Sequence, residues 1–176
     1  MKFIHNRILP IFIVLSISQP SFAQSRLDIY TISNQVNCMF PSAPRLIGEL
    51  AGTLSYGYGD ENNLISYNCT FTKEPIESLN DITVSQTPKI LKIAAKSQAK
   101  SINGRLTSFK ITRKNEEKFG IFTITYIIDQ QQGRKFAIIQ FKHSRFFHWA
   151  VQDFPGLSKL DAQSIFNRYS GEFLVE

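Results

Sequence analysis

The sequence has few of the residues from which metal and cofactor sites are usually built. It holds three histidines and two cysteines in 176 residues. His143 and His148 are five positions apart, which does not put two ligands on the same face of a helix or a strand. The third, His5, lies in a segment that we expect to be removed. We therefore predict no metal site and no cofactor.

The motifs of common catalytic sites are also missing. No serine lies in a Gly-x-Ser-x-Gly turn, and no glycine-rich loop has the pattern that binds phosphate. The adjacent acids at 60–61 and 116–117 fall in predicted turns. We expect a protein that is not an enzyme. Because a triad can be assembled from distant residues, a cryptic hydrolase that uses His143 or His148 remains an alternative.

No apolar run is long enough to anchor the chain in a membrane, which takes about 20 residues. The chain begins with Lys2 and Arg7, continues with an apolar stretch over Ile8–Ile17, and reaches small residues at Ser21–Ala23. This is the pattern of a secretory signal peptide. We predict cleavage after Ala23 and a single exported domain over residues 24–176, located in the periplasm or the medium.

The charge of the predicted mature chain is modest. Removal of the first 23 residues leaves 18 basic and 14 acidic residues, a formal net charge of +4. Proteins that bind nucleic acid usually carry a clustered basic arm and a larger excess of positive charge. We therefore do not expect a nucleic-acid partner.

The two cysteines are most simply a disulfide in an oxidising compartment. Cys38 has the same parity as Phe40 in one predicted strand, and Cys69 the same parity as Phe71 in another. Both sulfurs should therefore face the core, and we expect the two strands to be adjacent or nearly so. The alternative is a pair of metal-binding or reactive thiols.

Alternating apolar residues predict antiparallel strands over much of the chain, and two stretches have helical spacing. The predicted strands are Val36–Phe40, Leu50–Tyr58, Leu64–Thr72, Arg105–Arg113 and three within Lys118–Asp153, and the predicted helices are Lys89–Ile102 and Ser158–Tyr169. Ser25–Asn34 fits a strand, a short helix or a loose arm. The pattern predicts an α+β fold: one antiparallel sheet of about six to seven strands, with two main helices packed on it and one disulfide.

A family resemblance covers nearly the whole predicted mature chain. The first short strand ends in Phe40-Pro41-Ser42-Ala43-Pro44, a hairpin rich in glycine and tyrosine follows, and the last helix carries Ala162 and Phe166. This arrangement resembles the PsbP-like/Mog1-like α/β/α sandwich superfamily. The resemblance implies a fold used mostly by non-catalytic accessory, binding and assembly proteins. It transfers no functional residue to this sequence, which differs in having a disulfide.

Four lysines form a row on the first predicted helix. At about 100° per residue they lie within about 80° of one another, opposite the apolar arc. The row consists of Lys89, Lys92, Lys96 and Lys100. It is either an ordinary solvated face or a surface that docks on an acidic partner or an anionic membrane.

The strand around Trp149 carries bulky residues on both faces. Phe147 and Trp149 share one parity, while Phe146 and His148 share the other. The simplest explanation is a central strand that is covered on one face by a helix and on the other by the N-terminal hairpin predicted over residues 50–72. The functional alternative is an exposed groove lined by Phe146 and His148, or a cavity for an apolar ligand beneath Tyr56, Phe147 and Trp149.

Together these patterns predict an exported, non-enzymatic binding or assembly protein of the bacterial periplasm that engages a protein or an envelope component. The alternatives are a carrier of a small apolar ligand, with its cavity beneath the aromatic strand, and a cryptic hydrolase.

Overall fold

The computed structural model describes residues 26–33, 36–79, 82–114 and 117–173. The predicted signal peptide over residues 1–23 lies outside this range. The described strands are β1 (Asp28–Ser33), β2 (Val36–Phe40), β3 (Arg45–Leu50), β4 (Thr53–Asp60), β5 (Ile65–Thr72), β6 (Arg105–Lys114), β7 (Glu117–Ile128), β8 (Gln131–Lys142) and β9 (Arg145–Asp153). The helices are α1 (Thr87–Ser101) and α2 (Ala162–Tyr169), with single 3₁₀ turns at Glu77–Leu79 and Ser170–Glu172.

Seven of these strands form one antiparallel sheet in the order β3-β4-β5-β9-β8-β7-β6. The predicted α+β class, the number of strands in the main sheet and the two helices are confirmed. The stretch that the sequence left open is β1, which pairs with β2 in a separate two-stranded hairpin. The hairpin of β1 and β2 packs on the main sheet as a separate layer. The cover predicted for this face was the hairpin over residues 50–72, which instead lies within the main sheet as β4 and β5.

The main sheet has an apolar cluster on each face. One face, here called the hairpin face, is covered by β1, β2 and α2, and its buried residues include Phe40, Trp149, Phe166 and Phe173. The other, here called the α1 face, is covered by α1, and its buried residues include Leu91, Ala95, Phe122 and Ile124. β9 is the fourth of the seven strands and is covered on both faces, as predicted.

The predicted disulfide between Cys38 and Cys69 is present, and both residues are fully buried. It joins β2 in the hairpin to β5 in the main sheet, across a Cα–Cα distance of 6.2 Å. The two strands do not pair, because β2 pairs with β1 and β5 lies between β4 and β9. The alternation pattern therefore correctly placed both cysteines in one core, which lies between two layers rather than between paired strands. Closing a loop with a sequence separation of 31 residues stabilises the fold by about 3 to 4 kcal/mol on the chain-entropy model.

Two predicted boundaries were wrong for local reasons. The predicted strand Leu50–Tyr58 is interrupted by a turn at Ala51 and Gly52, which have φ angles of 47° and 73°. The strand before the turn, β3, is exposed at all six residues. Its sequence therefore has no alternation of buried and exposed positions that could reveal a strand. The last helix starts at Ala162 because the side chain of Asp161 accepts a hydrogen bond from the Ser164 N–H and caps the helix there.

An ion-pair network fixes α2 to the end of the sheet. Arg134 on β8 donates two hydrogen bonds to Asp153 on β9, at 3.1 and 2.7 Å, and one to Asp161 at 2.9 Å. The Asp153 side chain is only 1% exposed and also accepts the Ala162 N–H at 2.9 Å. One buried carboxylate therefore joins two strands to the first turn of a helix.

We predict that Arg134→Met lowers the free energy of unfolding by about 3 to 5 kcal/mol, because Asp153 is left as a buried charge without its cation. Urea denaturation monitored by tryptophan fluorescence measures the change. Arg45→Met, at an exposed arginine on β3, is the control and should change stability by less than about 0.5 kcal/mol. Adding Asp153→Asn to Arg134→Met should recover part of the loss. An Arg134→Met variant as stable as Arg45→Met would contradict the prediction.

Candidate binding surface around the first helix

The first helix is held on the sheet by a narrow apolar stripe. Its buried residues include Leu91, Ala95 and Ala99, at a spacing of four, which pack on Phe122 and Ile124 of β7. The chain then passes into β6 through Gly104. A Cβ atom at this glycine would lie 2.6 Å from Ile124 Cγ2, so only glycine permits the close approach. Ala95, Ala99 and Gly104 therefore allow α1 to lie close to the sheet.

The four lysines of the predicted row are all exposed on α1. None of them takes part in an ion pair with any residue that the structure describes. The helix itself contains no acidic residue. The structure therefore presents the row to solvent without neutralising it.

The charge imbalance extends beyond the helix. Between Ile82 and Asn115 the sequence has eight lysines and arginines and no aspartate or glutamate. This acid-free segment contains both α1 and β6. The helical spacing of the lysines reveals only the row on α1, whereas the positions of the acids in the sequence reveal the whole segment.

The lysine row costs the helix stability. Lys92, Lys96 and Lys100 follow one another at a spacing of four, where like charges destabilise a helix by about 0.2 to 0.5 kcal/mol per pair. Lys89 lies in the first turn, where the helix dipole disfavours a positive charge. An alternating pattern of acids and lysines would stabilise the same exposed face, so the row is not explained by the stability of the helix.

By helical geometry, the lysine row lies on the flank of α1 that points away from β8. On the opposite flank, Gln98 accepts a hydrogen bond at 3.3 Å from Lys135, which lies on β8 toward the middle of the sheet. Lys92 and Lys96 are about 120° and 160° from Gln98 around the helix. Because α1 packs on β6 and β7, this flank leans toward β6, the last strand of the sheet.

Two further basic side chains are buried on the α1 face. Lys135 is 7% exposed, and burial lowers its pKa to about 8. His148 is also buried, and its ring stacks on that of Phe122 at 6.1 Å. Burial, and secondarily the charge of Lys135, lowers the pKa of His148 well below its ordinary value. The imidazole is therefore neutral at physiological pH.

The predicted groove residues do not form a common surface. Phe146 and His148 face α1, whereas Phe147, Trp149 and Tyr56 belong to the hairpin face. His148 is buried, and neither of its ring nitrogens has a hydrogen-bond partner among the described residues. His148 therefore does not line an exposed groove, which was the functional alternative and not the favoured prediction. Alternation correctly assigned the two faces, but it does not show how deeply each face is covered.

The space beneath Trp149 is filled by the protein itself. The indole stacks on Phe166 at 5.7 Å and on Phe173 at 6.5 Å between ring centroids. Its Nε1 donates a hydrogen bond to the carbonyl of Met39 at 3.0 Å. These contacts occupy the position that an apolar ligand would need beneath the aromatic strand.

The described residues offer few features of other kinds of site. Within the described residues, no group of three or more histidines, cysteines and acids is placed to hold a metal ion. In the same part of the chain, no helix is both long enough and apolar enough to cross a membrane. His143 is exposed in the turn between β8 and β9, with a φ of 49°.

The fold is that of known structures, although the sequence has diverged far from them. The chain is similar to cyanobacterial PsbP (CyanoP) from Synechocystis, with a TM-score of 0.62 and 10% sequence identity, covering 90% of this chain and 98% of that one. A Pseudomonas aeruginosa protein of unknown function, described as a putative regulator, aligns with a TM-score of 0.44 and 5% identity over 83% of this chain and 90% of its own. No protein-family model and no curated protein sequence matches the chain. The predicted PsbP-like fold is confirmed.

We predict that Lys135→Met raises the free energy of unfolding at pH 7 by up to about 3 kcal/mol. The lysine pKa is about 8 in the folded protein and 10.5 in the unfolded chain, and one pKa unit corresponds to about 1.36 kcal/mol. Below pH 8 both states hold the proton, so the folded state carries the full cost of burying it. Between pH 8 and 10.5 the folded state loses the proton first, and the cost fades as the pH rises.

Urea denaturation of the wild-type protein and the Lys135→Met variant, at pH 7 and at pH 10, tests this prediction. The advantage of the Lys135→Met variant should shrink at the higher pH. Lys110→Met removes an exposed lysine on β6 and should show no such dependence. A stability difference that is equal at both pH values would show that burial of the ammonium group is not the cause.

Proposed function

We propose that this protein is an exported, non-enzymatic binding or assembly protein of the bacterial periplasm, and that it engages an acidic protein or envelope component through the lysine row of α1. The buried disulfide supports export, because such bonds persist in oxidising compartments. The basic, apolar and small residues at the start of the chain support it independently.

One observation carries the binding proposal: a helix with four exposed lysines lies inside an acid-free segment of the chain. Solvated helix faces usually mix charges of both signs, because such pairs favour the helix. A single sign concentrated on one surface attracts the opposite sign over roughly a Debye length, about 8 Å at physiological salt. The surface therefore suits an acidic partner.

The remaining features favour binding over catalysis. The PsbP-like fold resembles that of a superfamily used mostly by accessory and assembly proteins. His148, the more central of the two candidate bases, is neutral and buried, and it contacts no serine, threonine or acid through its ring nitrogens in the described structure. A general base must reach the proton that it removes.

We predict that changing the four lysines of the row to glutamate removes the partner that the wild-type protein captures from a bacterial envelope extract. Each lysine near an anionic surface contributes on the order of 1 kcal/mol to binding. Loss of the row therefore costs about 4 kcal/mol of binding free energy, or roughly a thousandfold in affinity. Capture by the immobilised protein, followed by quantitative mass spectrometry, measures the effect. Capture by the wild type should weaken as salt is raised.

The control variant carries the same net charge but keeps the row. It changes four exposed basic residues outside the acid-free segment to glutamate: Arg26, Arg45, Lys159 and Arg168. This variant should retain most of the binding. Equal losses in both variants would mean that net charge alone governs binding, and unchanged capture by the row variant would refute the proposed function.

The single change Lys96→Glu separates binding from folding. It places a glutamate at a spacing of four from both Lys92 and Lys100, so we predict that it stabilises the helix by a few tenths of a kcal/mol per pair. The same change should weaken binding to the partner. Thermal denaturation should show a more stable protein, and the capture assay should show weaker binding. A loss of stability would contradict the prediction.

A further inference from the structure

The acid-free segment contains a strand edge that is open for pairing. β6 has ten residues and pairs with β7 on one side, and no described strand lies on its other side. A strand of this length extends about 33 Å. An edge strand offers unpaired N–H and C=O groups to any extended segment that lies beside it.

The lysine row matches an added strand in spacing. Successive residues from Lys92 to Lys96 to Lys100 advance by about 6.0 Å along the helix axis, at 1.5 Å per residue. Side chains on one face of a β-strand repeat every 6.6 to 6.8 Å or so. Carboxylates at alternate positions of an added strand would therefore meet successive lysines of the row, which lies on the flank of α1 toward β6.

The opposite edge of the sheet has no such row, because β3 carries one exposed cation, Arg45, and one acid, Glu49. β3 has six residues, and its Glu49 is paired with Lys73 at 2.5 Å. Its side chains at Leu46, Ile47 and Leu50 are apolar and exposed. The charge of the two edges therefore directs an acidic segment to β6 rather than to β3.

We propose that the acidic partner binds as an extended protein segment that pairs with β6 as an eighth strand, with acidic side chains at alternate positions directed toward the lysine row. This inference rests on the proposed function and specifies its partner. Backbone hydrogen bonds to β6 supply affinity that does not depend on sequence, and the alternating acids supply selectivity.

Synthetic peptides test both features. The first peptide has glutamate at every second position, with valine or threonine between. The second has the same composition with its glutamates contiguous. Two further versions of the alternating peptide carry N-methyl groups, either on every glutamate or on every intervening residue. Fluorescence anisotropy measures the affinity of each peptide, and amide hydrogen exchange measures protection of β6.

The alternating peptide should bind at least tenfold more tightly than the contiguous one and should slow exchange of the β6 amides. Only one of the two N-methylated peptides should lose binding, by at least tenfold, because alternate N–H groups of an added strand point toward and away from the sheet. A purely electrostatic contact gives no reason for such a difference. Lys96→Glu should weaken binding of the alternating peptide.

Other outcomes would overturn the inference. If both N-methylated peptides bind equally and β6 exchanges freely, while the row variant still loses its envelope partner, strand pairing is wrong and the proposed function stands. If vesicles containing phosphatidylglycerol bind through the row more tightly than the peptide and leave the β6 amides unprotected, the surface binds lipid. If the row variant captures the same partners as wild type, the proposed function fails.

Discussion

The pairing of β5 with β9 joins the two halves of the chain into one sheet. It aligns Ile65–Phe71 with Phe147–Asp153, more than 75 residues further along. Cys69 on β5 lies directly opposite Trp149 on β9, so the disulfide to the hairpin and the largest buried ring are neighbours across these two strands. At the end of the same strand pair, Asp153 holds Arg134 and the start of α2. The hairpin, α2 and the disulfide all depend on this pairing for their positions.

The two faces of the sheet handle charge differently. Near the hairpin face, the buried Asp153 is matched by Arg134 and by a helix N–H. On the α1 face, the amide of Gln98 is the only hydrogen-bond partner of Lys135 among the described residues, and neither nitrogen of His148 is bonded to any of them. The exposed lysine row adds further positive charge on the same face as Lys135. The α1 face therefore carries a positive charge that does not stabilise the fold, and binding of the acidic partner that we propose would give that charge a role.

Sequence patterns predicted the elements in which burial alternates and failed where it does not. The meander was recognisable because Phe122, Ile124 and Tyr126 alternate with threonines on strands covered by α1 and its neighbours. β3 was missed because it is wholly exposed. The lysine row follows from helical spacing alone, but its position beside β6 depends on the order of strands. That order is set by the distant pairing of β5 with β9, which local patterns do not contain.

Lysines near an unpaired edge have a second effect that fits the same function. An exposed strand edge tends to associate with another copy of itself, and charged side chains, lysine in particular, oppose this. Two copies brought together through β6 would place two lysine rows near each other, with no acid in either segment to relieve the repulsion. An acidic segment meets no such barrier. The same charge that opposes pairing of the edge with itself would therefore select the acidic segment that we propose pairs with it.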